Sequence, residues 1–269
     1  MTRVIVAGAG GRMGQRIGYM VQRDPHLKLA AAFERADSPV VGEDAGLVGG
    51  YGTVGVTIAA DLAAVIDQGD VIIDFTFHEA TMKIARLAAA HHKALVIGTT
   101  GLTPANLAEL QELAAAFPCV QSPNMAVGVN VLFKVAAKVA AILGNDYDIE
   151  IVEAHHRLKK DAPSGTALKL GELVAASVKR DLARVGVFSR HGMIGARTDE
   201  EIGIQTIRAG DIVGEHTVYF AGAGERLEIT HRAHSRDNFA RGAALAAGWV
   251  CGQPHGLYSM FDVPGLNDM

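Results

Sequence analysis

The first fourteen residues constrain this chain most. An apolar run, Val4-Ile5-Val6-Ala7, opens directly onto Gly8-Ala9-Gly10-Gly11-Arg12-Met13-Gly14. A short apolar run that stops at glycines is a buried strand entering a tight turn, and residues 13–22 then read as a helix. Strand, Gly-x-x-Gly-x-x-Gly and helix, in that order, form a dinucleotide-binding turn. Gly8 permits the sharp reversal, and Gly11 lets a pyrophosphate approach backbone N–H groups at the helix N-terminus. Gly14 allows the helix to lie close to the strand. The competing interpretation is a glycine-rich turn without a ligand. The position after a strand and before a helix favours the cofactor.

Alternating patterns continue through the first half. They predict strands at 27–33, 71–74, 94–97 and 119–121. Helices are expected at 79–91 and about 104–116, a short helix at 61–66 and a loop over 36–55. Such βαβ alternation implies a parallel sheet covered on both faces, with ligands bound at the carboxyl ends of its strands. Glu34 and Arg35 lie at the end of the second strand. The carboxylate suits the adenosine ribose of NADH and the guanidinium suits the 2′-phosphate of NADPH, so either cofactor is expected.

The pattern changes after Asn124. A helix is expected at 129–143 and a strand at 149–154, followed by a polar stretch and a long helix over 167–185. Strand-like segments then follow at 202–208, 215–220 and 226–231 before a helix at 237–251. Successive strands imply a mixed or antiparallel sheet. The fold class is therefore α/β: a Rossmann-type parallel-sheet domain of residues 1–126 and 236–269, and an α+β domain of residues 127–235.

Composition excludes several roles. The net charge of −4 and pI near 6.2 give no basic footprint for nucleic acid. Two cysteines, Cys119 and Cys251, supply neither a disulfide framework nor a zinc spacing, so no metal is expected. No signal peptide is read at the start, and no apolar stretch reaches the ~20 residues of a membrane span. A cytoplasmic protein is the default expectation.

Glu153-Ala154-His155-His156-Arg157-Leu158-Lys159-Lys160-Asp161-Ala162-Pro163-Ser164-Gly165-Thr166-Ala167 is dense in proton-transfer and anion-binding groups. Histidines and lysines can donate protons and neutralise carboxylates. Ser164-Gly165-Thr166 precedes a helix, so its backbone N–H groups and the Thr hydroxyl form an anion site for a small dicarboxylate. The bland alternative, a solvated loop with Ser164 as a helix cap, is about evenly matched on composition alone.

These blocks, with Asp74-Phe75-Thr76, Gly98-Thr99-Thr100-Gly101, Asn124, residues 127–130 and Arg208 through Thr217, resemble the signatures of the 4-hydroxy-tetrahydrodipicolinate reductase family in order along nearly the whole chain. The resemblance implies NAD(P)H-dependent reduction, with loss of water, in diaminopimelate and lysine biosynthesis. It implies that His155 exchanges a proton and that Lys159 donates a second. His156, Gly165 and Thr166 would bind substrate carboxylates. Gly8, Ala9, Gly10, Gly11, Arg12, Met13, Glu34, Arg35, Gly98, Thr99, Thr100, Ser122, Pro123, Asn124 and Met125 would line the cofactor. Met125 stands where the family commonly has Phe, and Lys160 lies beside Lys159. A homotetramer built through the sheets of the second domain is implied as well. Another reductase on the same scaffold and a nucleotide-sensing regulator are the rivals; the intact His155, Lys159 and Gly165-Thr166 set argues against both, and a sensor has no need of a proton donor or a second anion site.

Overall fold

In a computed structural model describing residues 1–263, the apolar run at the start becomes β1 (Thr2–Ala7), and α1 (Arg12–Arg23) follows the glycine turn. The elements β2 (Leu27–Phe33), α2 (Ala45–Val48), β3 (Ile58–Ala59), β4 (Val71–Asp74), α3 (His78–Ala90), β5 (Ala94–Ile97), α4 (Pro104–Leu113) and β6 (Pro118–Gln121) come next. After the second unit, α8 (Asp237–Val250) and β12 (Gly256–Tyr258) return to this sheet. Its strand order is β12-β6-β5-β4-β1-β2-β3, all parallel. Side chains alternate across a strand. Val4, Val6, Ile73, Val96 and Val120 therefore face one apolar layer, with Ile17 and Val21 of α1 and Ala243 and Ala247 of α8. Ile5, Ile72, Leu95 and Cys119 face the other, with Ile84 and Ala85 of α3 and Leu110 of α4. Arg16 of α1 makes a two-pronged pair with Asp237 at the start of α8, at 2.6 and 2.7 Å.

The second unit, Gly128–Ser235, carries α5 (Val127–Leu143), β7 (Asp148–His155), α6 (Gly165–Ser177), α7 (Leu182–Val185), β8 (Gly186–Val187), β9 (Ile202–Arg208), β10 (Gly214–Gly222) and β11 (Glu225–Ala233). Its sheet runs β11-β10-β7-β9-β8 and is mixed. β7 pairs parallel with β9 and antiparallel with β10. Ile149, Ile151, Ile202, Ile204, Val218 and Phe220 are buried on the face that α6 covers.

Several expectations change. The long helix predicted over 167–185 begins at Gly165 and ends at Ser177. Lys179 then adopts φ +59, and Asp181 caps α7 through the Ala183 amide. The helix expected at 61–66 is a turn leading to a single 3-10 turn at Ile66–Gln68. The loop over 36–55 contains α2, capped by Asp44. The short strands β3, β8 and β12 had no periodicity to announce them. One helix with its trailing turn, Val127–Asp146, is long and apolar enough to span a membrane by length and composition, contrary to expectation. Phe133, Ala136 and Ala140 on that helix are buried, and about a third of the span is buried in all.

Candidate active site

The first unit carries the candidate cofactor-binding residues around the glycine turn. Gly8 sits at φ +66, a conformation that glycine adopts without penalty, and its carbonyl accepts from the Gly11 amide at 2.9 Å. A Cβ on Gly14 would stand 2.1 Å from the Gly8 carbonyl oxygen, so this contact between helix and turn tolerates only glycine. Gly11 begins α1 without any side-chain cap, and the first amides of the helix are left for another acceptor.

Glu34 accepts from the Gly10 amide at 3.1 Å and the Arg35 amide at 3.0 Å, stapling the end of β2 to the glycine turn. Arg35 is largely exposed and lies 3.2 Å from Asp37. A cavity of about 490 Å³ opens beside the turn, lined by Gly8, Gly11, Glu34, Arg35, Thr76, Phe77 and Lys83, among others.

At the end of β4, Asp74 is fully buried. It accepts from the Thr76 amide and hydroxyl, at 2.9 and 2.6 Å, and from the Thr81 hydroxyl at 2.5 Å. Burial pushes its carboxyl up against the opposing pull of these hydrogen bonds. The arrangement shapes the loop that carries Thr76 into the cavity.

The remaining cofactor candidates divide. Arg12 is exposed, whereas Ala9 is buried in the α1 core layer and Met13 packs against it. Gly98, Thr99 and Thr100 follow β5, and Ser122, Pro123 and Asn124 follow β6, at the same carboxyl edge of the sheet but outside the lining of that cavity. Ser122 donates to the Asn124 carbonyl at 3.0 Å, and Asn124 Oδ1 accepts from the Ala126 amide. Met125 is 1% exposed and lies in the α1–α8 core, so its side chain is occupied there.

The second unit carries a polar cluster of its own. His155 ends β7. Strand alternation puts Glu153 on the same face, and His155 Nδ1 lies 2.6 Å from Glu153 Oε2. Glu153 also accepts both Arg208 guanidinium nitrogens at 2.8 Å, the Ser164 amide at 2.9 Å and the Thr206 hydroxyl at 3.2 Å. Burial raises this carboxyl, but the bonds from His155, Arg208 and Ser164 together hold it well below the usual carboxylate range.

His216, buried on β10, stacks edge-on to His155 at 5.3 Å and contacts the Ser164 hydroxyl at 3.2 Å. Burial pushes its imidazole down to about 3, and the neighbouring His155 adds to this. His156 follows the strand. Lys159 lies 2.9 Å from Asp161. Ser164 caps α6 through the Ala167 amide at 3.1 Å, which places Gly165 and Thr166 in the first helical turn. A Cβ on Gly165 would meet nothing within 4 Å. Among the described residues, no group of three His, Cys, Asp or Glu is placed to hold a metal.

The structure therefore brings His155 and the α6 N-terminus onto one carboxylate. Residue type alone assigns Glu153 no role, although its i, i+2 spacing from His155 puts the two on one face. Arg208, Thr206 and His216 join the cluster through strand register, which no local pattern announces. Lys83 reaches the cavity from α3, a position that no motif in the sequence marks.

Known proteins match along the whole chain. Residues 2–125 fit the family model for the N-terminus of dihydrodipicolinate reductase, and residues 128–263 fit that for its C-terminus. A 4-hydroxy-tetrahydrodipicolinate reductase from Desulfotalea psychrophila is 65% identical over 269 residues, covering all of both chains. Another from Geotalea uraniireducens is 54% identical over 266 residues, covering 99% of this chain and 100% of that one. The solved dipicolinate-bound dihydrodipicolinate reductase from Paenisporosarcina sp. TG-14 gives a TM-score of 0.77 at 27% identity, covering 97% of this chain and 98% of that one. With both halves matched in order, this chain belongs to the dihydrodipicolinate reductase family.

Proposed function

We propose that the protein reduces 4-hydroxy-tetrahydrodipicolinate to tetrahydrodipicolinate at the expense of NADH or NADPH, a step of diaminopimelate and lysine biosynthesis. The observation that carries this reading is the 65% identity, over the whole of both chains, to a relative of that name.

The residues present fit a nicotinamide dinucleotide. The α1 N-terminus is free of a side-chain cap beside Gly8 and Gly11, and the adjoining cavity holds Glu34, Arg35 and Lys83. The bound reduced cofactor supplies a hydride. The turn from Gly8 to Met13 would hold the pyrophosphate, Glu34 the adenosine ribose, and Arg35 a 2′-phosphate when one is present. Residues 98–100 and 122–125, at the carboxyl ends of β5 and β6, would line the rest of the cofactor.

The reaction takes up a hydride and a proton and releases water, so the protein must manage protons around a small dicarboxylate. His155 exchanges a proton at Nε2, because Nδ1 is committed to Glu153. Lys159 donates the second proton from the same loop, where Asp161 restrains its ammonium group. The amides of Gly165 and Thr166, with the Thr166 hydroxyl and His156, orient the carboxylates. We further propose a cytoplasmic homotetramer.

Substrate generated in place from pyruvate and aspartate semialdehyde by the preceding synthase provides the test. Synthase-dependent loss of reduced-nicotinamide absorbance, abolished in Lys159→Ala, is the expected result. No oxidation of either NADH or NADPH, by protein that still binds them, would overturn the assignment.

A further inference from the structure

We infer that Glu153 is a positioning residue of the proposed reaction. It holds His155 by Nδ1 so that Nε2 is the exchanging atom, and it ties that ring to the α6 N-terminus where a substrate carboxylate is oriented. The inference rests on the reading of His155 and Gly165-Thr166 given above.

Glu153 is completely buried and uses both oxygens. Oε2 accepts from His155 and Arg208, at 2.6 and 2.8 Å. Oε1 accepts from the Ser164 amide, Arg208 and Thr206, at 2.9, 2.8 and 3.2 Å. The two-pronged Arg208 contact already neutralises the carboxylate, so His155 is not required for charge balance. What the His155 bond adds is direction. An ionised carboxylate only accepts, so the shared hydrogen belongs to His155 Nδ1. The neutral ring then has its lone pair at Nε2, and the charged ring has its transferable proton there.

Ser164 completes the connection. Its amide donates to Glu153, while its hydroxyl caps α6 and touches His216. Ring orientation and carboxylate cradle thus share one anchor. The charged and titratable groups around His155 are Glu153 on β7, Arg208 on β9, His216 on β10 with His231 of β11 beyond it, and Lys159 with Asp161 on the loop.

Glu153→Gln in the full chain removes the charge while nearly keeping the shape. The expected result is a fall in kcat of at least about tenfold, as when the orienting partner of a histidine is lost. The KM for NADH should stay unchanged. Glu153→Asp, which keeps the charge, should recover part of the lost kcat. A Glu153→Gln enzyme with kcat within about twofold of wild type would overturn the inference.

If Glu153→Gln fails to fold, nitrogen-15 histidine spectra of the wild type decide. The resonance lost in His155→Ala identifies the ring. A neutral Nδ1–H tautomer is expected, and a neutral Nε2–H tautomer would overturn the inference. Wild-type turnover in His155→Ala would instead overturn the underlying reading of the site, so the two failures are distinguishable.

Discussion

At Glu34 both carboxylate oxygens already serve backbone amides, one of them in the glycine turn. Its charge therefore shapes the turn as well as facing the cavity, and in the proposed cofactor site Arg35 is the group that would meet a 2′-phosphate. Loss of one charge-assisted contact costs about 1.5–3 kcal/mol. Arg35→Ala should accordingly lower kcat/KM for NADPH by roughly tenfold to hundredfold and leave NADH little changed, measured by steady-state rates with each.

Gly165 gives a contrasting case. Because an added Cβ meets only open space, Gly165→Ala should unfold at the wild-type denaturant concentration yet raise the KM for the dicarboxylate, where the methyl competes with the ligand.

His216 offers a pH test. Its folded-state value of about 3 lies below the ordinary 6.5, so an unfolded chain binds a proton that the native one refuses. Its contribution is complete above about 6.5 and is lost as pH falls toward 3. Thermal unfolding midpoints of wild type and His216→Gln should therefore converge over that window.

At the scale of elements, the parallel sheet was legible because β1, β2, β4, β5 and β6 are apolar runs punctuated by glycine or polar turns. The positions at their carboxyl ends follow from topology alone. Elements defined by partners were not legible. β3 and β12 have two and three residues, too few for any period, and exist because β2 and β6 offer open edges. The break between α6 and α7 was signalled by Asp181, a capping residue inside an otherwise helical pattern.

For the site, His155, Lys159 and Gly165-Thr166 stood out by residue type, and the family resemblance assigned their roles. The cluster beneath them depends on β9 and β10 lying beside β7. The contact of α1 with the turn gives an element-scale prediction. Gly14→Ala forces a carbon to 2.1 Å from a carbonyl oxygen, and neither atom belongs to a flexible side chain. A loss of about 1–3 kcal/mol or more is expected from denaturant titration.

For the whole molecule, the sheet of the second unit has one face under α6. The opposite face carries Val152, Gln205, Ile207, Thr217 and Tyr219, with Ile207 exposed. If the proposed tetramer is built through this face, wild type should elute with the light-scattering mass of four 28.3 kDa chains. Ile207→Glu should shift the mass toward smaller species.

The order of elements along the chain has one more consequence. β1 to β6 leave the ribosome before Gly128–Ser235, but α8, which covers Val4, Val6, Val96 and Val120, follows that whole segment. At ~5–20 residues per second, an apolar sheet face waits on the order of ten seconds for its cover during synthesis. The length of the inserted unit thus acts as a clock on how long the nascent chain stays adhesive, and shortening that insertion would spare the cell's chaperones.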